Sequence, residues 1–142
     1  MPEPRRPSLR GEGTITAADR AAILAAARDY IESWLDGDAD RMARCLHLEL
    51  VKRSVEQAAA TAECTVETIT RDQMIDATGT GQGRHHQRPF EISILDAYGD
   101  IACVRVLSTP YMDYLHVARC GRAWLLLNVL WQPRVGFGQR RS

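Results

Sequence analysis

The stretch that most limits how this chain can fold is Trp124-Leu125-Leu126-Leu127-Asn128-Val129-Leu130-Trp131. It closes a run, Phe90 to Gln132, that reads as four consecutive strands joined by tight turns. A strand that does not alternate apolar with polar residues has both faces covered. One face can pack on helices from the first half of the chain. The other needs a partner, most simply a second copy of the same chain.

The first half supplies the helices. Thr16 caps a helix, with Asp19 three residues on as a variant of the capping box. Ile23, Ala27, Tyr30 and Trp34 recur at helical intervals, and Leu24, Ile31 and Leu35 widen the stripe. Gly37 ends this helix and Asp38 caps a second, running to about Leu46. Leu48 to Val55 reads as extended, and Glu56 to Glu63 is alanine-rich and open between a loop and a helical turn. Thr70 caps a third helix to about Thr78, ended by Gly79-Thr80-Gly81-Gln82-Gly83. The strands follow at about Phe90–Ala97, Ile101–Thr109, Tyr111–Cys120 and Ala123–Gln132. Gly99-Asp100 and Gly121-Arg122 mark two turns, and Pro110 the region of the third.

Helices segregated from a mostly antiparallel sheet make an α+β domain. The expectation is three N-terminal helices on a curved, mostly antiparallel sheet, leaving a cone whose open end is a natural ligand site. The 142 residues make one domain over 14–133, large enough for a core without staples. A Pro-, Gly- and charge-rich tail over 1–13 should be disordered, and a basic tail over 134–142 flexible.

The formal net charge is zero, which argues against nucleic acid or an anionic membrane as the main partner. Lys52 is the only lysine. Cys45, Cys64, Cys103 and Cys120 form no Cys-x-x-Cys pair. Cys103 and Cys120 could approach on neighbouring strands, but small buried hydrophobes are the favoured reading. No segment resembles a secretion signal or is long enough to span a membrane, so the expected location is cytoplasmic.

The run Ala27-Arg28-Asp29-Tyr30-Ile31-Glu32-Ser33-Trp34-Leu35-Asp36-Gly37-Asp38-Ala39-Asp40-Arg41-Met42 resembles the opening helices of the nuclear transport factor 2-like (NTF2-like, cystatin-like) superfamily. Tyr98 to Val106, Tyr111 to Val117 and Trp124 to Asn128 resemble its putative lumazine-binding and SnoaL-like branch. The resemblance covers residues 16 to 132 and implies the cone-shaped α+β fold. That superfamily holds isomerases, dehydratases, polyketide cyclases and proteins without chemistry, so it implies no one reaction. It hints at a flat aromatic ligand. Tyr30 falls where ketosteroid isomerase carries its oxyanion-stabilising tyrosine. The position of that enzyme's catalytic aspartate falls at Ser54, flanked by Lys52 and Arg53, so no carboxylate stands there as base.

The candidate pocket residues are Tyr30, Trp34, Tyr114, His116, Trp124 and Asn128. Tyr30 and Trp34 share the apolar helix stripe, where core packing and a pocket role stand even. Asn128 interrupts an apolar strand, and a buried amide left unpaired costs about 1–3 kcal/mol. It bonds a strand neighbour or waits for a ligand. Alternation puts Tyr114 and His116 on one face of their strand and Asp113 on the other. A two-residue Gly121-Arg122 turn sets Arg119 across from Trp124 and Asp113 on their face; a three-residue turn inverts the assignment. Tyr114 and His116 are expected inside, because otherwise Arg119 and Asp113 would both point at the core. A structural role for His116 competes with one as general acid or base.

The pair His85-His86 makes no metal site, since adjacent residues in an extended chain diverge and no clustered carboxylates complete a shell. A solvated loop is expected there. Cys45 and His47 do not face each other near a helix end and make no nucleophile–base pair. The sequence reading is therefore a homodimer through the outer sheet face that binds a small apolar or aromatic molecule, with no cofactor, metal, nucleic acid or membrane partner. One rival is an enzyme on the same scaffold using His116 as acid/base and Tyr30 as donor. The other is an interaction module with a filled cone.

Overall fold

The computed structural model describes residues 15–134; both expected tails lie outside the described residues, apart from Arg134. The elements are α1 (Ala17–Asp36), α2 (Ala39–Cys45), β1 (Leu46–Ala58), β2 (Glu63–Thr70), α3 (Arg71–Gly79), β3 (Phe90–Tyr98), β4 (Ile101–Ser108), β5 (Tyr111–Cys120) and β6 (Ala123–Pro133). Three helices thus accompany one six-stranded sheet of order β2-β1-β6-β5-β4-β3. The β1–β6 pairing is parallel and the other pairings are antiparallel. This is an α+β domain with a mixed sheet.

The helix ends follow their capping residues. Thr16 accepts from the Asp19 amide at 3.0 Å, and Asp38 from the Arg41 amide at 3.1 Å. Gly37 adopts the left-handed φ of 73° that lets its N–H close on the Ser33 and Trp34 carbonyls. Thr70 and Gln73 form a reciprocal capping box on α3.

The meander has the expected order and nearly the expected bounds. The addition is β2, an edge strand that pairs antiparallel with β1. Almost every residue of β2 is exposed, so no apolar alternation marks it in the sequence.

The core lies between the helices and one face of the sheet. It contains Ile23, Tyr30, Met42, Leu50, Val104, Leu115 and Leu126, each no more than 2% exposed. The facing of β5 and β6 corrects the sequence expectation. The Gly121-Arg122 turn takes two residues, pairing Cys120 with Ala123 and Arg119 with Trp124. Asp113, Leu115 and Val117 therefore point into the core, while Tyr114 and His116 are exposed on the opposite face.

A register shift between His116 and Val117 then leaves Leu127 as an extra residue in β6. Alternation flips past that point. Trp124 and Leu126 face inward, but so do Val129 and Trp131, while Asn128 and Leu130 face outward. Of the two charged residues on this face, only Asp113 is interior, and both are paired. Arg119 sits at the rim against Asp19 and Asp100, at 3.2 and 2.5 Å. Asp113 is held by Tyr30 and the charge of Lys52.

Cys103 and Cys120 are both free and exposed, contrary to the expected burial. Cys103 lies across from His116, so the two thiols are not strand neighbours. No helix among the described residues is long and apolar enough to cross a membrane.

Candidate ligand site

The chain's only lysine is buried. Lys52 stands on the inward face of β1, 8% exposed, beside Val129 of β6. Its ammonium donates to the Tyr30 hydroxyl at 2.7 Å, and that hydroxyl donates to Asp113 Oδ2 at 2.6 Å. Helix α1 and strands β1 and β5 therefore meet through one phenolic oxygen. Three rings surround the ammonium: Trp131 at 5.1 Å, Tyr30 at 5.3 Å and Trp34 at 5.8 Å from their centroids. Ring faces attract a cation at such distances.

Burial and charge oppose each other here. Burial pushes the Lys52 ammonium below its ordinary value, and Asp113 and Glu67 pull it back up. Burial pushes the Asp113 carboxyl up, and Lys52 and the Tyr30 hydroxyl pull it down. Tyr30 is raised well above the usual phenol range, first by burial and then by Asp113, so its hydroxyl keeps its proton.

An aromatic file leads outward from this centre. Trp131 packs edge-on against Tyr111 with centroids 5.0 Å apart, and Tyr111 packs edge-on against His86 at 5.1 Å. His86 Nδ1 accepts from Trp34 Nε1 at 3.1 Å, and its Nε2 lies 3.4 Å from the Tyr111 hydroxyl. The first bond requires an unprotonated Nδ1, and burial lowers the His86 pKa in the same sense. The expected solvated loop is thus half right: His85 is exposed, while His86 is tucked between two aromatic rings.

Gly83 lets the loop approach. A Cβ there would stand 2.3 Å from the Trp34 carbonyl oxygen and 2.6 Å from its indole nitrogen. Arg84 fastens the same loop by donating to the Asp36 carbonyl at 3.1 Å. His86, Tyr111, Trp131, Thr109, Pro110 and Pro133 are among the walls of a cleft of about 450 Å³. Two side-chain polar atoms among the described residues are buried without a hydrogen-bond partner, Asp113 Oδ1 and Trp131 Nε1. Asp113 and Trp131 are direct cross-strand partners on the inward face, and Trp131 also walls the cleft.

The six residues singled out in the sequence do not converge. Tyr30 and Trp34 share the Lys52 centre, but Tyr30 is buried and does not line the cleft. Trp124 lies at the other end of the sheet, its indole donating to Asp19 at 3.3 Å. Tyr114, His116 and Asn128 face outward, and the sheet separates His116 from Tyr30. The Asn128 amide meets His116 Nδ1 at 3.4 Å, the strand-neighbour bond that was one of its two readings. Both line a second, outward groove of about 320 Å³ with Cys103, Tyr98 and Ile101.

Sequence reasoning missed Lys52, Asp113, His86, Tyr111 and Trp131 as a group. A signal was present: one lysine two residues from Leu50 and one aspartate two residues from Leu115, each on an apolar strand stripe. Opposite charges at core positions call for one another.

Solved structures share this architecture. An NTF-2 like protein of Silicibacter pomeroyi superposes with a TM-score of 0.67 at 19% identity, over 84% of this chain and 100% of that one. A domain of Nostoc punctiforme with a cystatin-like fold gives 0.59 at 14% identity, over 85% and 80%. A ketosteroid isomerase-like protein of Erwinia carotovora atroseptica gives 0.56 at 13% identity, over 83% and 98%. The fold is therefore that of the NTF2-like superfamily. No curated protein matches the sequence. The chain belongs to the family described as putative lumazine-binding, whose model matches residues 18–132.

Proposed function

We propose that this protein binds a small, flat, largely aromatic molecule in the cleft walled by His86, Tyr111 and Trp131. The observation that carries the reading is the aromatic file from His86 through Tyr111 to Trp131, open to the cleft at one end and closed by the Lys52 ammonium at the other. Pockets for planar ligands combine aromatic walls with a few placed polar groups. The family description points the same way by naming lumazine, a flat bicyclic ring.

Binding rather than catalysis is favoured by the state of the acid–base candidates. Tyr30 spends its hydroxyl on Asp113 and Lys52, and His116 stands on the other side of the sheet. Titration of the purified protein with lumazine, followed by tryptophan fluorescence, should quench the Trp131 and Trp34 emission. Tyr111→Ala should weaken the effect at least tenfold. If lumazine and a panel of other flat heterocycles leave both emission and melting temperature unchanged, the reading is wrong.

The outward face is proposed to join two copies of the chain. Tyr98, Ile101, Tyr114 and Leu130 are 61, 62, 45 and 53% exposed on neighbouring strands, an apolar area that a second copy of the same sheet would cover. Light scattering should give twice the chain mass for the unaltered protein and the single mass for Leu130→Asp. A monomer in the unaltered protein removes the proposal.

A further inference from the structure

The two unpartnered buried atoms are of opposite kind. Trp131 Nε1 is a donor only, and Asp113, which accepts from Tyr30 and faces the Lys52 ammonium through it, offers its other oxygen as an acceptor. They belong to residues paired directly across β5 and β6, whose side chains leave the sheet on the same face. Each costs free energy as it stands, since a buried polar group without a partner forfeits its water. The other oxygen of Asp113 is already fixed by Tyr30, so the carboxylate cannot turn its free oxygen elsewhere.

Building on the cleft reading above, the geometry points to a ligand that presents a cyclic amide edge, a ring N–H beside a ring carbonyl. The ring N–H would donate to Asp113 Oδ1, and the adjacent carbonyl would accept from Trp131 Nε1. A donor beside an acceptor is the complement of an acceptor beside a donor, so one rigid edge satisfies both orphans at once. A second carbonyl, as in a cyclic imide, finds the Lys52 ammonium as its donor, 5.1 Å from the Trp131 ring. Rings that carry only acceptors would leave Asp113 Oδ1 unpaired and set lone pairs against a carboxylate. Both orphan atoms are shut off from solvent, so the Trp131 and Tyr111 rings must part to admit the edge.

The test compares lumazine with lumazine methylated on both ring nitrogens that carry hydrogen, N1 and N3, so that no N–H remains beside a carbonyl, by calorimetry on the full chain. Methylation should weaken binding at least tenfold, because it replaces the N–H and pushes a methyl group against the carboxylate. Trp131→Phe, which keeps a ring but removes the donor, should weaken lumazine several-fold while circular dichroism shows the fold intact. Equal affinity of the two compounds for the unaltered protein overturns the edge assignment and leaves the cleft reading standing. Absence of heat with both overturns the edge assignment, and absence of heat with the panel of other flat heterocycles as well overturns the cleft reading with it.

Discussion

Removing the charge of Asp113 is the most searching test of the buried centre. The Tyr30 hydroxyl bridges the two ions with bonds of 2.7 and 2.6 Å, so ammonium and carboxylate lie at most about 5 Å apart. At that separation and an effective dielectric near 20, their attraction is roughly 3 kcal/mol. Asp113→Asn keeps an acceptor for Tyr30 but strands the Lys52 ammonium, 8% exposed, among three rings. Deleting one partner of a buried pair costs about 3–5 kcal/mol, which lowers the melting temperature by roughly 10–17 °C in a domain of this size.

Lys52→Met should cost a similar amount, since it strands the carboxylate. The double variant should cost about as little as either single change, because neither charge is left alone. The assay is urea unfolding of all four proteins, read as a double-mutant cycle. Should the two single losses add to within about 0.5 kcal/mol in the double variant, the charges are not coupled and the account of this centre fails.

Two further outcomes are expected. Gly83→Ala sets a methyl group against the Trp34 carbonyl, so the loop must retreat. Amide exchange over residues 82–88 should rise, and stability fall by about 1–3 kcal/mol; unchanged exchange would show that the loop does not depend on this contact. Burial pushes the Cys45 thiol from 9.0 up to about 12. A raised folded-state pKa gives stability that is full below pH 9 and lost as the pH rises toward 12, at about 1.4 kcal/mol per pH unit. Cys45→Ala removes that slope, so urea midpoints of the two proteins, compared at pH 8 and pH 10.5, should show a larger alkaline loss for the unaltered protein.

The sequence made much of the fold legible because its signals are local. Thr16, Asp38 and Thr70 mark helix starts, and Gly99-Asp100 and Gly121-Arg122 mark hairpins, each through chemistry confined to a few residues. The site was less legible because it depends on facing, and facing depends on one residue. Leu127 bulges out of β6, so Asn128 turns outward and Trp131 inward, against simple alternation from Trp124. The same reasoning discounted Asp113 as a core residue, since an isolated carboxylate does not belong there. It is not isolated, but its partners lie 83 and 61 positions away, on α1 and β1. No local pattern announces a contact of that range.

The parallel pairing of β1 with β6 sets an order of events during synthesis. Strand β1 emerges from the ribosome long before β6, and its inward neighbour Val129 is among the last core residues made. Until then the β1–β2 hairpin hangs beside an unfilled gap, with a backbone edge bare and Lys52 without Asp113. Contacts this far apart in the chain close slowly. Strand β6 is thus the piece that joins the β1–β2 hairpin to the β3–β4–β5 meander in one sheet.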